Sequence, residues 1–497
     1  LKELTRYKEL IKEMKAYEYV MNVINWDSNT EAPRGSHERR AEMMAVIGAE
    51  YFKRSTSTEY VEVVEYLHQR IQKLDMTTRR EIIRAKKALD KVTKIPQDEY
   101  IAYQTLLNLT QLVWEDAKHN NDYSSFKTNL AQIIEFNKKF IQYFNKADHP
   151  YNVLLDDFED GMNMDKYDAF FDVLKKELVP FVKQILATKK EFKNPFETEK
   201  FPVDRQEMFS QHLLDTLQFD RNRGLLKKSV HPFTWNTSPF DVRLTTRYQD
   251  DLAFSSIFAT IHELGHATYE QQVDPKWANT LLAGGTSMGI HESQSRLYEN
   301  TFGRSRAFWS YELPKLRKLF PKQLKELSLD DMVLCANKVQ ASLIRVEADE
   351  LTYPLHIMVR YDIERMLFSN EITVDELPQK WNQLMQEYLG VTPPNDSLGV
   401  LQDVHWSAGL IGYFPTYALG SAYAAQIYYT MKQELDIEAQ LSRGKFKKIN
   451  LWLKKKIHQY GGSKSPEQIL LDVTNEPFNP MYYVQYLKEK YTELYLK

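Results

Sequence analysis

Apolar residues recur along this chain mostly three and four positions apart, the period of helices with one buried face. The pattern predicts helices over 1–23, 36–52, 57–73, 78–92, 124–146, 165–192, 203–218, 252–273, 290–303, 310–320, 328–350, 355–369, 375–389, 417–435, 445–460 and 480–495. Ser328 stands ahead of LDDMVLCANKVQ, with acidic residues in the first turn, as an N-terminal cap. PPND at 393–396 and YGGSKSP at 460–466 read as loops. One segment leaves the helical period. DVRLTTRY, 241–248, alternates Val242, Leu244, Thr246 and Tyr248 with Arg243, Thr245 and Arg247, a strand of period two. The two prolines of HPFTWNTSPF, just before it, forbid a helix there. A lone strand needs a partner, so a short hairpin or small sheet is expected beside the 252–273 helix. An exposed edge of that sheet would suit an extended peptide.

Composition supports long helices, because 17 glycines and 19 prolines are few breakers for 497 residues. A net charge of −3 offers no basic field for a polyanion, so no nucleic-acid partner is expected. Cys335 is the one cysteine, which excludes an intrachain disulfide and points to a reducing, cytoplasmic setting. Its helical context reads as a buried thiol rather than a nucleophile. The first twenty residues are charged throughout and lack the apolar stretch of a secretory signal. Residues 404–431 carry no formal charge and are long enough to span a bilayer. Pro415, Gly409, Gly412, Gly420 and several tyrosines make them a buried, cleft-lining segment instead, with no membrane partner expected. The acidic run DDFEDGMNMD, 156–165, fails as a calcium loop, because Phe158 and Tyr167 fall where ligands are needed; it reads as a turn.

Candidate chemistry centres on FATIHELGHATYE, 258–270. Histidines four apart on a helix share a face, so His262 and His266 can converge on one ion. Glu263 then sits beside the ion as a base. Glu270 lies about 12 Å further along the helix axis than His262 and cannot share that ion, so it supports from outside or serves the surface. Past the glycines at 284, 285 and 289 a second helix opens near HES, and Glu292 is the expected third ligand. Glu299 is a weaker alternative. His291 faces elsewhere and either contacts substrate or supports the site. Two histidines and one carboxylate leave a coordination position open, which marks a catalytic rather than a structural site. Zn2+, one per chain, is the default ion, and Co2+ would suit the same ligands.

Six motifs in order, spread over almost the whole length, resemble the thermostable carboxypeptidase (carboxypeptidase Taq) family of metallopeptidases. WDSNTEAPRG at 26–35 is similar to an N-terminal family signature, and FDRNRGLLKKSVHPF at 219–233 ends in its HPF. DVRLT at 241–245, HELGH followed by HESQ at 291–294, IRVEAD at 344–349 and GVLQDVHW at 399–406 follow, with GYFPTYALG at 412–420 also typical. The resemblance implies a mainly α, two-lobed helical fold with a deep central cleft and a small sheet near the site, like neurolysin and angiotensin-converting enzyme. The whole chain is then one peptidase unit, with the metal-site segment at about 231–300. It also implies a homodimer that releases C-terminal amino acids from peptide substrates with broad specificity, C-terminal proline being resisted.

Peptide hydrolysis assigns further roles. His405, Tyr413 and Tyr417 are candidate donors to the oxyanion, with Tyr423 a further possibility. Arginine binds a terminal carboxylate best, through two parallel hydrogen bonds, which makes Arg345 the first choice and Arg243 the second. The alternative for Arg345 is a buried ion pair with Asp349 one helical turn on. Thr245 and its strand backbone are candidates to hold the peptide chain. Asp241 and Asp403 are expected to orient neighbouring groups, and a packing role suits His231 as well as a catalytic one. Two rival readings stand: an oligoendopeptidase of the same HExxH class, and a helical scaffold with a vestigial motif. An aminopeptidase is disfavoured, because no GxMEN-like segment is found.

Overall fold

The computed structural model describes residues 2–145 and 148–497. Leu1 and Lys146, outermost residues of two predicted helices, lie outside the described residues. The chain is mainly α with one small sheet among the described residues, and it divides into two compact units. The first comprises Leu1–Thr93, Phe192–Ala336 and Ile427–Pro477; the second comprises Lys94–Glu191, Asn337–Gln426 and Phe478–Lys497. Among the described residues no helix is long and apolar enough to cross a membrane.

In the first unit, Tyr7, Leu10, Ile11 and Met14 of the helix Lys2–Thr30 repeat at three and four. They pack with Val64, Leu67, Ile82, Ala85 and Leu89 into one buried cluster. The sheet has the order β1-β3-β2, with β1 at Gly224–Lys228, β2 at Thr234–Ser238 and β3 at Asp241–Thr246. β1 pairs with β3 in parallel and β2 pairs with it antiparallel. Val242, Leu244 and Thr246 are fully buried, as their alternation predicts, Thr245 on the other face is buried too, and β3 packs on the helix Ala253–Gln272. The expected sheet is therefore present, with β3 as its central strand and β1 and β2 at its edges. The backbone of β3 is taken on both sides, so an added peptide strand would have to pair with β1 or β2.

The HELGH helix lies against the shorter helix Met288–Arg296, whose Ser287 cap accepts from the Ile290 amide at 3.1 Å. Gly265 sits at their closest approach. A Cβ there would stand 2.6 Å from the Gln294 carbonyl oxygen and 2.7 Å from Ser295 Cα, both backbone atoms that cannot swing away. The helix carrying Glu292 can approach because residue 265 has no side chain.

Other boundaries differ from expectation for local reasons. The predicted helix 328–350 stops at Ala336, although Ser328 caps it by accepting from the Asp331 amide at 3.0 Å. IRVEAD thus lies on a short 3-10 turn, Arg345–Glu347, and not on an α-helix. YGGSKSP is not all loop: a 3-10 turn covers His458–Ser463, and Pro466 opens a helix capped by Ser465. The helices Gln97–Asn120 and Pro150–Phe158 were not anticipated. Cys335 is buried, with Sγ 3.3 Å from the Lys193 carbonyl.

Gly265→Ala is expected to destabilise the protein by about 1–3 kcal/mol, since the added methyl overpacks a backbone contact. Denaturant midpoints of the wild type and the variant measure this. A shift within about 0.5 kcal/mol would mean that the helix pair yields without cost.

Candidate metal centre

His262 and His266 project from one face of the HELGH helix, and Glu292 from the neighbouring helix meets them. One ligand atom from each of the three lies within 4.8 Å of the others. Glu292 Oε2 is 3.7 Å from His262 Nε2 and 3.5 Å from His266 Nε2. A cation with bonds of about 2.0–2.2 Å holds tetrahedral ligands roughly 3.4 Å apart, so the three need close up only slightly. Nitrogen and carboxylate donors in this number suit a borderline divalent ion.

The tautomers agree with that use. His262 Nδ1 lies 2.9 Å from Glu299 Oε2, a carboxylate that can only accept. The proton of a neutral His262 ring therefore sits on Nδ1, leaving a lone pair on Nε2. His266 Nδ1 lies 2.6 Å from His291 Nδ1, and His291 Nε2 lies 2.8 Å from Glu270 Oε1. If both rings are neutral, His291 donates to Glu270 and accepts from His266, whose Nε2 is again the free nitrogen. Glu270 itself accepts from the Gly285 amide at 2.8 Å and from Asn236 Nδ2 at 2.7 Å. Burial opposes charge on His262, but Glu292 and Glu299 outweigh it and raise its pKa. Burial lowers His266 to about 3. Burial also disfavours ionised Glu292, yet Arg296 and His262 hold it well below the usual carboxylate range. Arg296 Nε donates to Glu292 Oε1 at 2.7 Å, which leaves Oε2 toward the imidazoles.

Glu263 is buried beside this group. Thr234 of β2 donates to its Oε2 at 2.6 Å, and burial raises its pKa, the direction of a stronger base.

The remaining expected residues fall in two places. In the first unit, His291 supports His266, and both its ring nitrogens are engaged there rather than offered to substrate. Thr245 is fully buried; its hydroxyl bonds Ser229 Oγ at 2.6 Å and the Phe233 amide at 3.0 Å. A strand paired on both sides leaves it nothing to offer a peptide. Arg243 gives Nε and one terminal nitrogen to the two oxygens of Asp241, each at 2.7 Å, so that fork is filled. His231 is exposed in a turn.

The second unit brings Arg345, His405, Tyr413 and Tyr417 together. Arg345 donates through Nε and one terminal nitrogen to Asp403 Oδ1 at 3.0 and 2.8 Å, and through the other to Tyr353 at 3.2 Å. Its partner is Asp403, not Asp349, which caps the backbone of Leu351 and Thr352 instead. Arg345 Cζ stands 5.3 Å from the centre of the Tyr417 ring. His405 Nε2 lies 3.4 Å from Tyr417 Oη, and the rings of His405 and Tyr413 are 5.6 Å apart. Burial, then Arg345, lower His405 to about 4, so it is neutral at neutral pH. Tyr423 is buried edge-on against Phe478. Asp241 and Asp403 do orient neighbours, but these are arginines. The acceptors for the histidines are Glu299 and, through His291, Glu270.

Sequence reasoning missed two supports, Thr234 and the orienting role of Glu299. Leu297–Phe302 forms a π-helical turn, a register that spacing alone does not announce. For Thr234 the only signal was its place in the prolyl stretch before the strand.

A model of the carboxypeptidase Taq (M32) metallopeptidase family matches residues 6–491. The chain is 44% identical over 489 residues to Carboxypeptidase 1 of Bacillus subtilis (strain 168), covering 98% of both chains. It is 35% identical to Thermostable carboxypeptidase 1 of Pyrococcus furiosus over 477 residues, 95% of each. The crystal structure of an M32 carboxypeptidase from Deinococcus radiodurans R1 superposes with a TM-score of 0.95 at 30% identity, covering all of both chains.

Glu299→Gln and Glu270→Gln are each expected to weaken binding of added Zn2+ by about 10–100-fold. Competition with a chromogenic chelator measures this, and unchanged affinity in both variants would remove the orienting roles assigned to them.

Proposed function

The chain belongs to the carboxypeptidase Taq (M32) family of metallopeptidases and is a metallocarboxypeptidase, and from that premise we propose how its residues divide the work. His262, His266 and Glu292 hold one divalent cation, zinc before cobalt. The observation that carries this reading is the hydrogen bond on the far nitrogen of each ligand ring, which turns both Nε2 atoms toward Glu292 Oε2. When bound, the cation supplies Lewis acidity toward water and toward the scissile carbonyl. Glu263 takes a proton from the water that attacks the last peptide bond and returns it to the leaving amine. Thr234 holds one of its oxygens and leaves the other to move the proton.

His405, Tyr413 and Tyr417 donate hydrogen bonds to the oxyanion that develops. Neutral at working pH, His405 does so as a dipole rather than a charge. Arg345 binds the substrate's terminal carboxylate. Asp403 occupies its inner edge, which leaves the outer edge, shared with Tyr353, to present two nitrogens. Arg243, with its fork on Asp241, is the weaker candidate. That residues of both units serve one peptide is part of the proposal. So are the homodimer, the cytoplasmic setting, and broad specificity with C-terminal proline resisted; sedimentation of the purified protein tests the dimer.

The oligoendopeptidase reading is not favoured, since the relatives are named carboxypeptidases. Mass spectrometry of one short peptide with free and amidated ends separates the two. Single residues should leave the free end, and amidation should abolish their release. Glu263→Gln should lower kcat by about 10²–10⁴-fold while metal content stays at the wild-type level. Unchanged turnover in that variant would remove Glu263 as the base.

A further inference from the structure

The second unit contains a buried carboxylate that the reaction scheme does not use. Glu364, on the helix Tyr353–Phe368, is 1% exposed. Its Oε1 accepts from the Trp406 indole at 2.7 Å. Its Oε2 accepts from the Gly412 amide at 2.8 Å and from Tyr151 Oη at 2.9 Å. One turn earlier on the same helix, Arg360 is fully buried and donates to Asp403 Oδ2 at 2.7 and 2.6 Å and to Gln402 Oε1 at 2.8 Å. Two adjacent turns of one helix therefore pin residues 402, 403, 406 and 412, and His405 lies among them.

The His405 ring needs such support, because little holds it directly. Its Nδ1 is buried with no hydrogen-bond partner among the described residues, and Nε2 has the 3.4 Å contact to Tyr417. Phe414 packs against it at 4.3 Å between ring centres. Its orientation must come from its backbone, whose carbonyl accepts from the amides of Ala408 at 3.2 Å and Leu410 at 2.9 Å in a run of turns. The loop closes at Gly412, which has φ of +88° and where a Cβ would meet the Leu154 carbonyl group at 3.0 Å. Glu364 receives the amide of that same residue.

We infer that Glu364 is a positioning residue for the reaction: through Trp406 and Gly412 it fixes the loop that aims His405. The inference rests on the oxyanion role given to His405 above. Chemistry supports it. An indole N–H and a backbone N–H can only donate, and the Glu364 carboxyl offers each of them an oxygen acceptor. Burying a carboxylate charge is costly, and burial pushes the Glu364 carboxyl up to about 7. An apolar side chain would fill the space without this cost but would release both ends of the loop.

The test is a double-mutant cycle on a short free-acid peptide, with metal content and circular dichroism checked for each variant. Glu364→Gln should lower kcat about tenfold or more with little change in KM, as displacement of a donor by a fraction of an ångström does. His405→Ala should lower kcat further, and adding Glu364→Gln to it should change kcat by less than about twofold, because both act through one group. Trp406→Phe, which removes only the indole N–H, should follow Glu364→Gln more weakly, and it carries the same cycle if Glu364→Gln does not fold. Full kcat in Glu364→Gln overturns the inference, and so does a loss that persists undiminished without His405. Normal kcat in His405→Ala overturns the oxyanion reading itself, and the inference falls with it.

Discussion

Two imidazoles can share one cation only if each keeps its proton on the nitrogen that faces away. Everything around the HELGH motif serves that constraint. For His262 the acceptor behind the ring is Glu299, and for His266 it is His291, itself polarised by Glu270. These carboxylates lie in a place where charge is expensive, and they are held by donors. Arg304 reaches Glu299 at 2.8 Å, and Arg296 reaches Glu292 at 2.7 Å and Glu299 at 3.4 Å. Such a group is tolerated because it is complete; removing one partner leaves a buried charge uncompensated.

The same constraint explains the glycine inside the motif. Glu292 must come within reach of both rings, and helix axes ordinarily stay 8–10 Å apart, depending on the side chains at the contact. With no Cβ at Gly265, the Gln294–Ser295 backbone passes at contact distance, and the ligand and the orienting carboxylate arrive on one segment. β3, buried on the other side, fixes the helix from beneath: Thr246 Oγ1 is 3.3 Å from Thr260 Oγ1. Thr234 of β2 takes Glu263 from the strand side.

Much of this was legible before any coordinates. His262, Glu263 and His266 follow from spacing on a helix, and Glu292 from the helix that opens after the glycines. The alternation at 241–248 marked a buried strand, which ends two residues early, at Thr246. It was less informative about neighbours, because period two says which face is buried and not which edge is paired. Glu299 was legible as a carboxylate near the site but not as an orienting group, since its reach depends on a π-helical turn. Arg345 shows tertiary structure overriding propensity. Val339, Leu343 and Ile344 fit a helical period, yet the chain leaves the helix at Ala336. The Arg345 amide then donates to Gln402 Oε1 at 2.9 Å, and its side chain turns to Asp403. A local pattern cannot register a partner 58 residues away.

The histidines of the two units are oriented by opposite means. Those expected to bind metal are aimed by hydrogen bonds to the rings themselves, which also sets their tautomers. Among the described residues His405 has no such partner on Nδ1, and burial together with Arg345 disfavours its charged form. A strong acceptor on Nδ1 would fix the ring, but it would also pull the pKa upward and commit the proton to that side. A neutral donor of the kind proposed for His405 is better aimed from its backbone. That shifts the need for rigidity from the ring to the loop, and from the loop to the helix that grips it at Asp403, Trp406 and Gly412. The electrostatic cost then falls on Arg360 and Glu364, and the Arg360 charge adds to the forces that keep His405 neutral.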